Sequence, residues 1–281
     1  MKTNRPSRTA HFVALGRAMA DIGLSRVPDF HDPTARFFLD EKAKRTLANV
    51  DRQTRAGNGG FRLEFTRGMA DMMALRTVAI DRAVRAAITA GATQLVILGA
   101  GYDGRAWRMS ELAGVKVFEV DRPASQKEKI ARVADLRAPI GSVKFVPIDF
   151  ERESLENVLE QAGHDRSAPT CWIWEGVVMY LTQEAIRSTL AAIAGRSVSG
   201  STLIVNYHTP HRGFIGRLLL RLIGEPQISS WTPEQMAADL EAVGFRVRED
   251  SGMADWNEQF ADGRGNVHRG YYMRIVVAGR S

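Results

Sequence analysis

The chain has 281 residues, of which 44% are hydrophobic and 25% charged, as expected for a globular protein with one large core and room for an appended lobe. The net charge of +6 does not indicate nucleic-acid binding, because the basic residues are scattered and not interleaved with aromatic ones; an acidic small molecule fits this charge better. The single cysteine, Cys171, excludes a disulfide framework and fits a reducing cytoplasm, and no segment approaches the roughly 20 apolar residues of a membrane span.

The first 90 residues predict helices and no strand. Helical patterns cover residues 11–22, 33–47 and 64–90, the last ending at Gly91 as its cap. Residues 51–60 are rich in Gly, Asn and Arg, which predicts a mobile loop. We therefore expect residues 1–90 to form a helical lid over a core of residues 91–281.

From residue 94 onward, apolar segments alternate with helical patterns, which predicts an α/β fold with a Rossmann-like doubly wound sheet. Thr182 and Thr232 precede helices, the latter with Pro233 and a capping-box Gln235. The last two strands are predicted to be joined by a loop at 263–266, with an antiparallel strand at or near one edge. The seven predicted strands are 94–98, 115–120, 143–148, 170–174, 202–206, 244–248 and 271–277.

A glycine-rich turn follows the first strand and contains Gly99, Gly101 and Gly104. Asp121 follows about 20 residues later, at the end of the second strand. Strand, tight turn and helix in this order let a ligand approach the backbone, and the later carboxylate binds ribose hydroxyls. The pattern predicts an adenosine-cofactor site but leaves S-adenosylmethionine and a nicotinamide cofactor both open.

Acidic residues follow three successive strands at the edge where open α/β sheets bind ligands. For S-adenosylmethionine we expect Asp121 to bind the ribose, Asp149 the adenine amino group, and Glu175 the region of the sulfonium and amino group, while Phe150 packs on the purine. Each acid could instead cap a helix or anchor a loop, and Glu119 is an alternative to Asp121. The Asp149–Phe150 pair and the helical lobe favour S-adenosylmethionine over a nicotinamide cofactor.

Arg76 falls on the apolar face of its predicted helix, where an unpaired guanidinium is costly to desolvate. It therefore needs an anionic partner. Two interpretations stay open: a salt bridge in the core, or a bond to the carboxylate of an amino-acid-bearing ligand. The apolar positions on this face are Met69, Met73, Ile80, Val84 and Ile88.

Two side chains are weak candidates for a catalytic role. His208, just beyond the fifth strand, is the histidine nominated as a general base, and Tyr180 lies five residues after Glu175, where it could close the transfer pocket. A structural role for each remains the alternative. His208 and His211 lack an evident third ligand, so no metal is predicted. Residues 214–223 predict an amphipathic helix at the acceptor entrance or in a lid.

Several motifs resemble the leucine carboxyl methyltransferase-like family of class I S-adenosylmethionine-dependent methyltransferases. The resemblance implies the Rossmann-like methyltransferase fold and cofactor contacts by Arg76, Gly99, Asp121, Asp149 with Phe150, and Glu175. Gly101 belongs to the same motif. The motifs are residues 98–103, 107–108, 118–121, 149–150 and 174–181, with further similarity at residues 32–35, 74–77 and 81.

The sequence thus predicts a cytoplasmic S-adenosylmethionine-dependent O-methyltransferase acting on a small molecule, with no nucleic-acid or membrane partner. A carboxylate acceptor is favoured, because an acceptor that is already an anion needs no base. The alternatives are methylation of a hydroxyl, phenol or amine, or a different class altogether: a non-catalytic cofactor-binding module or a nicotinamide-dependent enzyme.

Overall fold

The computed structural model describes residues 8–57, 60–150, 152–210, 229–264 and 272–281. In these ranges helices surround one seven-stranded sheet, and short 3-10 turns occupy Ala35–Phe38, Ser110–Leu112 and Val178–Tyr180. The helices are α1 (Arg8–Asp21), α2 (Glu41–Arg55), α3 (Phe61–Thr89), α4 (Arg105–Arg108), α5 (Pro123–Val133), α6 (Leu155–Gln161), α7 (Gln183–Gly195), α8 (Pro233–Ala242) and α9 (Met253–Ala261).

The sheet has the order β3-β2-β1-β4-β5-β7-β6. Strands β1 to β5 pair in parallel, whereas β7 is antiparallel to both of its neighbours, β5 and β6. This confirms the predicted doubly wound α/β fold and its antiparallel strand next to one edge. The strands are β1 (Gln94–Leu98), β2 (Lys116–Asp121), β3 (Ser142–Pro147), β4 (Thr170–Trp174), β5 (Thr202–His208), β6 (Phe245–Gly252) and β7 (Met273–Arg280).

Helices cover both faces of the sheet, as the continuous apolar strands require. One face packs against α3 and α9 in a cluster that includes Leu75, Ile80 and Trp256. The opposite face packs against α6, α7 and α8, with Trp172 and Trp174 at its centre. The capping box of α8 forms as predicted, with Thr232 and Gln235 bonded reciprocally.

Two predictions about local structure were wrong. Residues 33–47 do not form one helix, because the chain is extended at Leu39 and α2 begins afresh after Asp40, whose side chain accepts from the Ala43 N–H at 2.7 Å. Helix α2 then continues to Arg55, so half of the predicted 51–60 loop is helical. An ion pair between Arg55 and Asp51 at 2.9 Å spans its last turn.

Strands β6 and β7 are not joined by a loop alone, since α9 lies between them. The Asp255 side chain accepts from the Gly252 N–H at 2.7 Å and starts this helix. Its apolar side, with Met253 and Trp256, is buried in the cluster that includes α3. Helix α9 is therefore a packing element that the nearby glycine-rich loop obscured in the sequence.

Helix α3 extends well beyond the sheet. Its 29 residues span about 43 Å, more than twice the length of a five- or six-residue strand. Its carboxyl end leads through Gly91, at φ +105°, to the start of β1, so the helix ends at the amino edge of the sheet. Its amino-terminal half therefore projects past the opposite edge, where the candidate site lies.

Candidate functional site

The glycine-rich turn folds back onto the end of β2. The Gly99 N–H donates to the Val120 carbonyl at 2.7 Å, and the Asp121 carboxylate accepts from the backbone N–H groups of Gly101 at 2.6 Å and Arg122 at 2.7 Å. Gly99 has φ +68°, and a Cβ there would overlap with Val177. The turn needs glycine at 99 because a neighbouring loop approaches closely, whatever ligand binds.

Glu119, the alternative to Asp121, is committed elsewhere. Its carboxylate is buried and lies 2.5 Å from the Lys129 ammonium, which also sits over the rings of Phe38 and Trp107. Burial raises the pKa of Glu119 to about 7, an effect that the Lys129 charge opposes. Asp121 is thus the acid at this strand end that adjoins the glycine-rich turn.

Arg76 finds its anionic partner in Glu175, at 2.8 Å. Arg76 is 5% exposed, and its Nε has no hydrogen-bond partner within the described part of the chain. Burial lowers the pKa of Arg76; Glu175 opposes this shift, while the nearby charges of Arg17 and Arg105 add to it. The single carboxylate of Glu175 therefore does not fully offset the cost of burying this cation.

Next to this pair lies an ionic cluster that the sequence analysis did not assign, formed by Asp81, Asp103, Arg105 and Arg108. The Arg105 Nε donates to Asp81 at 2.7 Å and its Nη1 donates to Asp103 and, at 3.0 Å, to Glu175. Arg108 bonds to both oxygens of Asp81, at 2.5 and 3.0 Å.

This cluster is electrostatically saturated, because its carboxylates more than offset the burial of its arginines. Burial acts to lower the pKa of Arg105, but the charges of Asp103, Glu175 and Asp81 raise it well above its usual range. Burial likewise acts to lower the pKa of Arg108, and its pairing with Asp81 raises that pKa. Asp103 and Arg108 belonged to the motifs and Arg105 did not, and nothing in the sequence signalled that Arg105 and Arg108 would share Asp81 from a distant helix.

The cluster continues into the amino-terminal lobe. Arg17 on α1 donates to Asp32 at 2.9 Å and to the Tyr102 carbonyl at 2.5 Å, and the Arg108 Nε lies 3.6 Å from Asp32. A Cβ at Gly104 would overlap with Thr34, another residue of this lobe. Ion pairs and close packing therefore fix residues 17–34 against the glycine-rich turn.

Asp149 and Phe150 lie just past the end of β3. The Asp149 carbonyl accepts from the N–H groups of Arg152 and Glu153, at 2.9 and 2.8 Å, and its carboxylate lies 3.7 Å from the Arg152 Nε. Phe150 is partly buried against the core cluster of Trp172 and Trp174. Both residues are at the predicted edge of the sheet, and their contacts with adenine stay a prediction.

The two candidate catalytic side chains are also at this edge. Tyr180 is in the 3-10 turn after β4, close enough to Arg76 to contribute to its electrostatic environment. His208 ends β5, where its carbonyl accepts from the Trp231 N–H at 3.0 Å. His211 and the predicted helix at 214–223 lie outside the described residues.

Two kinds of feature are absent from the described ranges, metal-ligand clusters and membrane-spanning helices. No group of three or more His, Cys, Asp and Glu side chains there is arranged to hold a metal ion. None of the helices described combines the length and apolar character needed to cross a membrane.

Two solved structures resemble this chain over nearly its whole length. A DUF574 family protein from Streptomyces avermitilis superposes with a TM-score of 0.61 at 15% identity, covering 98% of each chain. A protein from Thermobifida fusca, provisionally named a methyltransferase, gives a TM-score of 0.60 at 16% identity, covering 99% of this chain and 95% of its own. At these identities the likeness establishes the fold.

Curated relatives are closer in sequence. Proteins of Mycolicibacterium vanbaalenii and Mycobacterium avium, both provisionally named S-adenosyl-L-methionine-dependent methyltransferases, are 37% and 35% identical. The matches cover 71% and 75% of this chain, and 65% and 68% of the relatives. The Mycolicibacterium vanbaalenii protein and three further curated relatives are matched over 56–65% of their own length, so the chain spans less than two thirds of these four proteins.

Residues 10–194 match the family model described as leucine carboxyl methyltransferase. This segment includes the lobe, α3, the glycine-rich turn and the ends of β2, β3 and β4, that is, every element that builds the Arg76–Glu175 pair and the ionic cluster. The chain belongs to the leucine carboxyl methyltransferase family.

Proposed function

We propose that this protein is an S-adenosylmethionine-dependent methyltransferase that forms a methyl ester on a small-molecule carboxylate. The observation that carries the proposal is the Arg76–Glu175 pair, in which a buried guanidinium is short of negative charge beside a carboxylate held in place by a second arginine. The names of the curated relatives support the same cofactor.

The Arg76–Glu175 pair fits the amino-acid end of this cofactor. An α-amino acid is a zwitterion, and a guanidinium beside a carboxylate is its complement. Arg76, with its unpartnered Nε, would bind the cofactor carboxylate. Glu175 would bind the ammonium group, because Arg105 at 3.0 Å keeps the Glu175 carboxylate ionised and in place.

The adenosine end fits the other residues at the edge. Asp121 would accept from the ribose hydroxyls, with Gly99 and Gly101 admitting the ligand close to the backbone. Asp149 would accept from the adenine amino group and Phe150 would pack on the ring. Asp121 already orients two backbone N–H groups, so its carboxylate is held by the turn that it would share with the ribose.

When bound, the cofactor supplies a methyl group on a positively charged sulfur. The chain has to align the acceptor oxygen with that methyl group and keep water out. The attacking oxygen of a carboxylate carries no proton, and its negative charge is neutralised as the methyl group leaves the sulfur, so no side chain has to remove a proton. Tyr180 beside Arg76 would then close the pocket, and His208 would have no catalytic duty.

The remaining properties of the chain agree with a small acidic acceptor. Its net charge is +6, and the basic residues that the site uses are bonded to carboxylates within it. We propose no nucleic-acid or membrane partner for the reaction. The one cysteine, Cys171, is a buried thiol whose pKa is raised by burial to about 12, and we place the enzyme in a reducing cytoplasm.

The proposal is tested with methyl-labelled cofactor and a metabolite extract. Label released as methanol by mild alkali identifies a methyl ester, and this is the expected result. Alkali-stable label would identify an ether or an amine instead and would return Tyr180 and His208 to consideration as catalytic groups. An absence of transfer together with tight binding of S-adenosylhomocysteine would favour a non-catalytic cofactor-binding module.

A further inference from the structure

The amino-terminal half of α3 carries an apolar stripe that ends in solvent. Counting back from Arg76 by helical turns, Met72, Met69, Phe65 and Phe61 lie within about 40° of the same direction on the helix. Exposure rises steadily along this stripe: Met72 is 9% exposed, Met69 is partly buried, Phe65 is 72% exposed and Phe61 is 88% exposed.

Another side of the same helix half holds residues 24–26. The Arg67 Nε donates to the Leu24 carbonyl at 3.1 Å, and Asp71 accepts from the Ser25 hydroxyl at 2.8 Å and the Arg26 N–H at 2.7 Å. Arg67 and Asp71 lie roughly 120–160° around the helix from Phe65. Phe65 and Phe61 therefore lie on a different side of α3 from these attachments, whereas Met69, closer to Arg76, lies next to Gly16 of α1.

The stripe is continuous with the proposed transfer site. Arg76 fixes the level of the helix at which the end of β4 is reached, because it bonds to Glu175 at 2.8 Å. Residues earlier in α3 lie beyond the carboxyl edge of the sheet. From Arg76 the distance along the helix is about 6 Å to Met72, 10 Å to Met69 and 16 Å to Phe65.

We propose that this stripe binds the apolar body of the methyl acceptor, and that the acceptor is a carboxylic acid with an apolar chain of about 12 to 16 carbons. The inference rests on the proposed function, since it assumes methyl transfer near Glu175. A chain of this length, at about 1.3 Å per carbon, reaches from the transfer site to Phe65. Met69 and Met72 are flexible apolar side chains that adapt to such a chain.

A second copy of the protein fits the stripe less well. Two phenylalanine side chains supply at most about 300–500 Å², whereas a stable dimer buries roughly 800 Å² on each partner. The other large apolar side chains exposed in the described ranges, Phe12, Phe37, Ile130 and Ile140, belong to other elements and do not extend the stripe. A bound chain lying along the helix needs only the width of one side chain.

The test measures binding of octanoate and tetradecanoate by calorimetry, in the presence of saturating S-adenosylhomocysteine. Each buried methylene contributes about fourfold in affinity, so tetradecanoate should bind at least about tenfold more tightly than octanoate, which reaches only Met69. Phe65→Ser should remove most of this difference and leave octanoate binding unchanged. The matched control is Phe12→Ser, a 45% exposed phenylalanine on α1, which should change neither.

Three results would overturn the inference. Equal affinity for both chain lengths in the wild-type protein would show that the stripe does not bind the chain. A dimer in sedimentation that Phe65→Ser converts to a monomer would assign the stripe to a second copy, and co-sedimentation with phosphatidylcholine vesicles that Phe65→Ser abolishes would assign it to a lipid surface. If S-adenosylhomocysteine itself does not bind, the proposed function fails, irrespective of chain length.

Discussion

Two neighbouring groups of buried charges differ in how well each is compensated. Arg105 has three carboxylates within hydrogen-bond distance, from Asp81, Asp103 and Glu175, and they raise its pKa despite burial. Arg76 is equally buried but has Glu175 alone, and its pKa is lowered. We propose that the first group stabilises the fold and that the second receives an anion. In this proposal the balance of charge around a buried arginine, and not its burial, separates a structural arginine from a binding one.

The largest effect is expected from removing the centre of the saturated cluster. Arg105→Leu leaves three buried carboxylates with fewer partners, and breaking buried pairs in this way costs about 3–5 kcal/mol of unfolding free energy. Urea denaturation measures the loss.

The control for this variant is Arg85→Leu, which removes a pair with Glu111 on the surface and should cost less than about 1 kcal/mol. If Arg105→Leu is too unstable to purify, Arg105→Lys, which keeps the charge but not the forked geometry, should fold with intermediate stability. Equal stability of Arg105→Leu and Arg85→Leu would contradict the structural role of the cluster.

Arg76→Met should affect ligand binding more than stability. Glu175 keeps its bond to Arg105 at 3.0 Å, so we expect less loss of unfolding free energy than for Arg105→Leu. Affinity for S-adenosylhomocysteine should fall more than about tenfold, or 1.4 kcal/mol, because the guanidinium that receives the ligand carboxylate is gone. Calorimetry and urea denaturation of the same preparation separate the two effects. A variant that is as unstable as Arg105→Leu but binds normally would erase the distinction between the two groups.

A third buried pair, Glu119 with Lys129, extends the comparison to the pH dependence of stability. Its carboxyl has a pKa raised from the usual 4.5 to about 7, so the folded protein holds this proton more tightly than the unfolded chain. The stabilising contribution is full below pH 4.5 and is lost as the pH rises to 7, with a slope of at most about 1.4 kcal/mol per pH unit.

The check is urea denaturation of the wild-type protein and Glu119→Gln at several pH values between 4.5 and 8. The stability of the wild-type protein should fall relative to that of Glu119→Gln across this range, because the glutamine does not titrate. Parallel profiles would mean that Glu119 does not titrate as described.

The smallest effect is expected at the two side chains first considered as catalytic. With a carboxylate acceptor, Tyr180→Phe and His208→Gln should each lower kcat by less than about tenfold, whereas loss of a general base costs about 10²–10⁴-fold. Initial rates with labelled cofactor give the answer. A loss in the larger range for either variant would favour a hydroxyl or phenol acceptor.

The sequence predicted the sheet well and the charge network poorly. Strands β1 and β4 have the predicted bounds because runs of apolar residues are a local signal, and Asp121, Glu175 and Asp149 lie at strand ends because strand order brings those ends to one edge. The need of Arg76 for an anion was also visible, since it interrupts an apolar helical face. That face is local information of the same kind.

The other features depend on contacts between distant parts of the chain. Arg105 pairs with Asp81 of α3 and with Glu175 at the end of β4. The spacing of these residues along the sequence does not predict either contact. The break in the predicted helix at Leu39 and the helix α9 were missed for a different reason: a single side-chain cap, at Asp40 or Asp255, decided where each helix begins.

The most direct test of the account is a comparison of two ligands by calorimetry. S-adenosylhomocysteine carries an amino-acid end, and 5′-methylthioadenosine shares its adenosine but lacks that end. We predict that Arg76→Met weakens binding of the first by more than about tenfold and changes binding of the second by less than about threefold, while Asp121→Asn weakens both. Unchanged affinity of Arg76→Met for S-adenosylhomocysteine, or an equal loss for both ligands, would contradict the assignment of Arg76 as the site of the cofactor carboxylate.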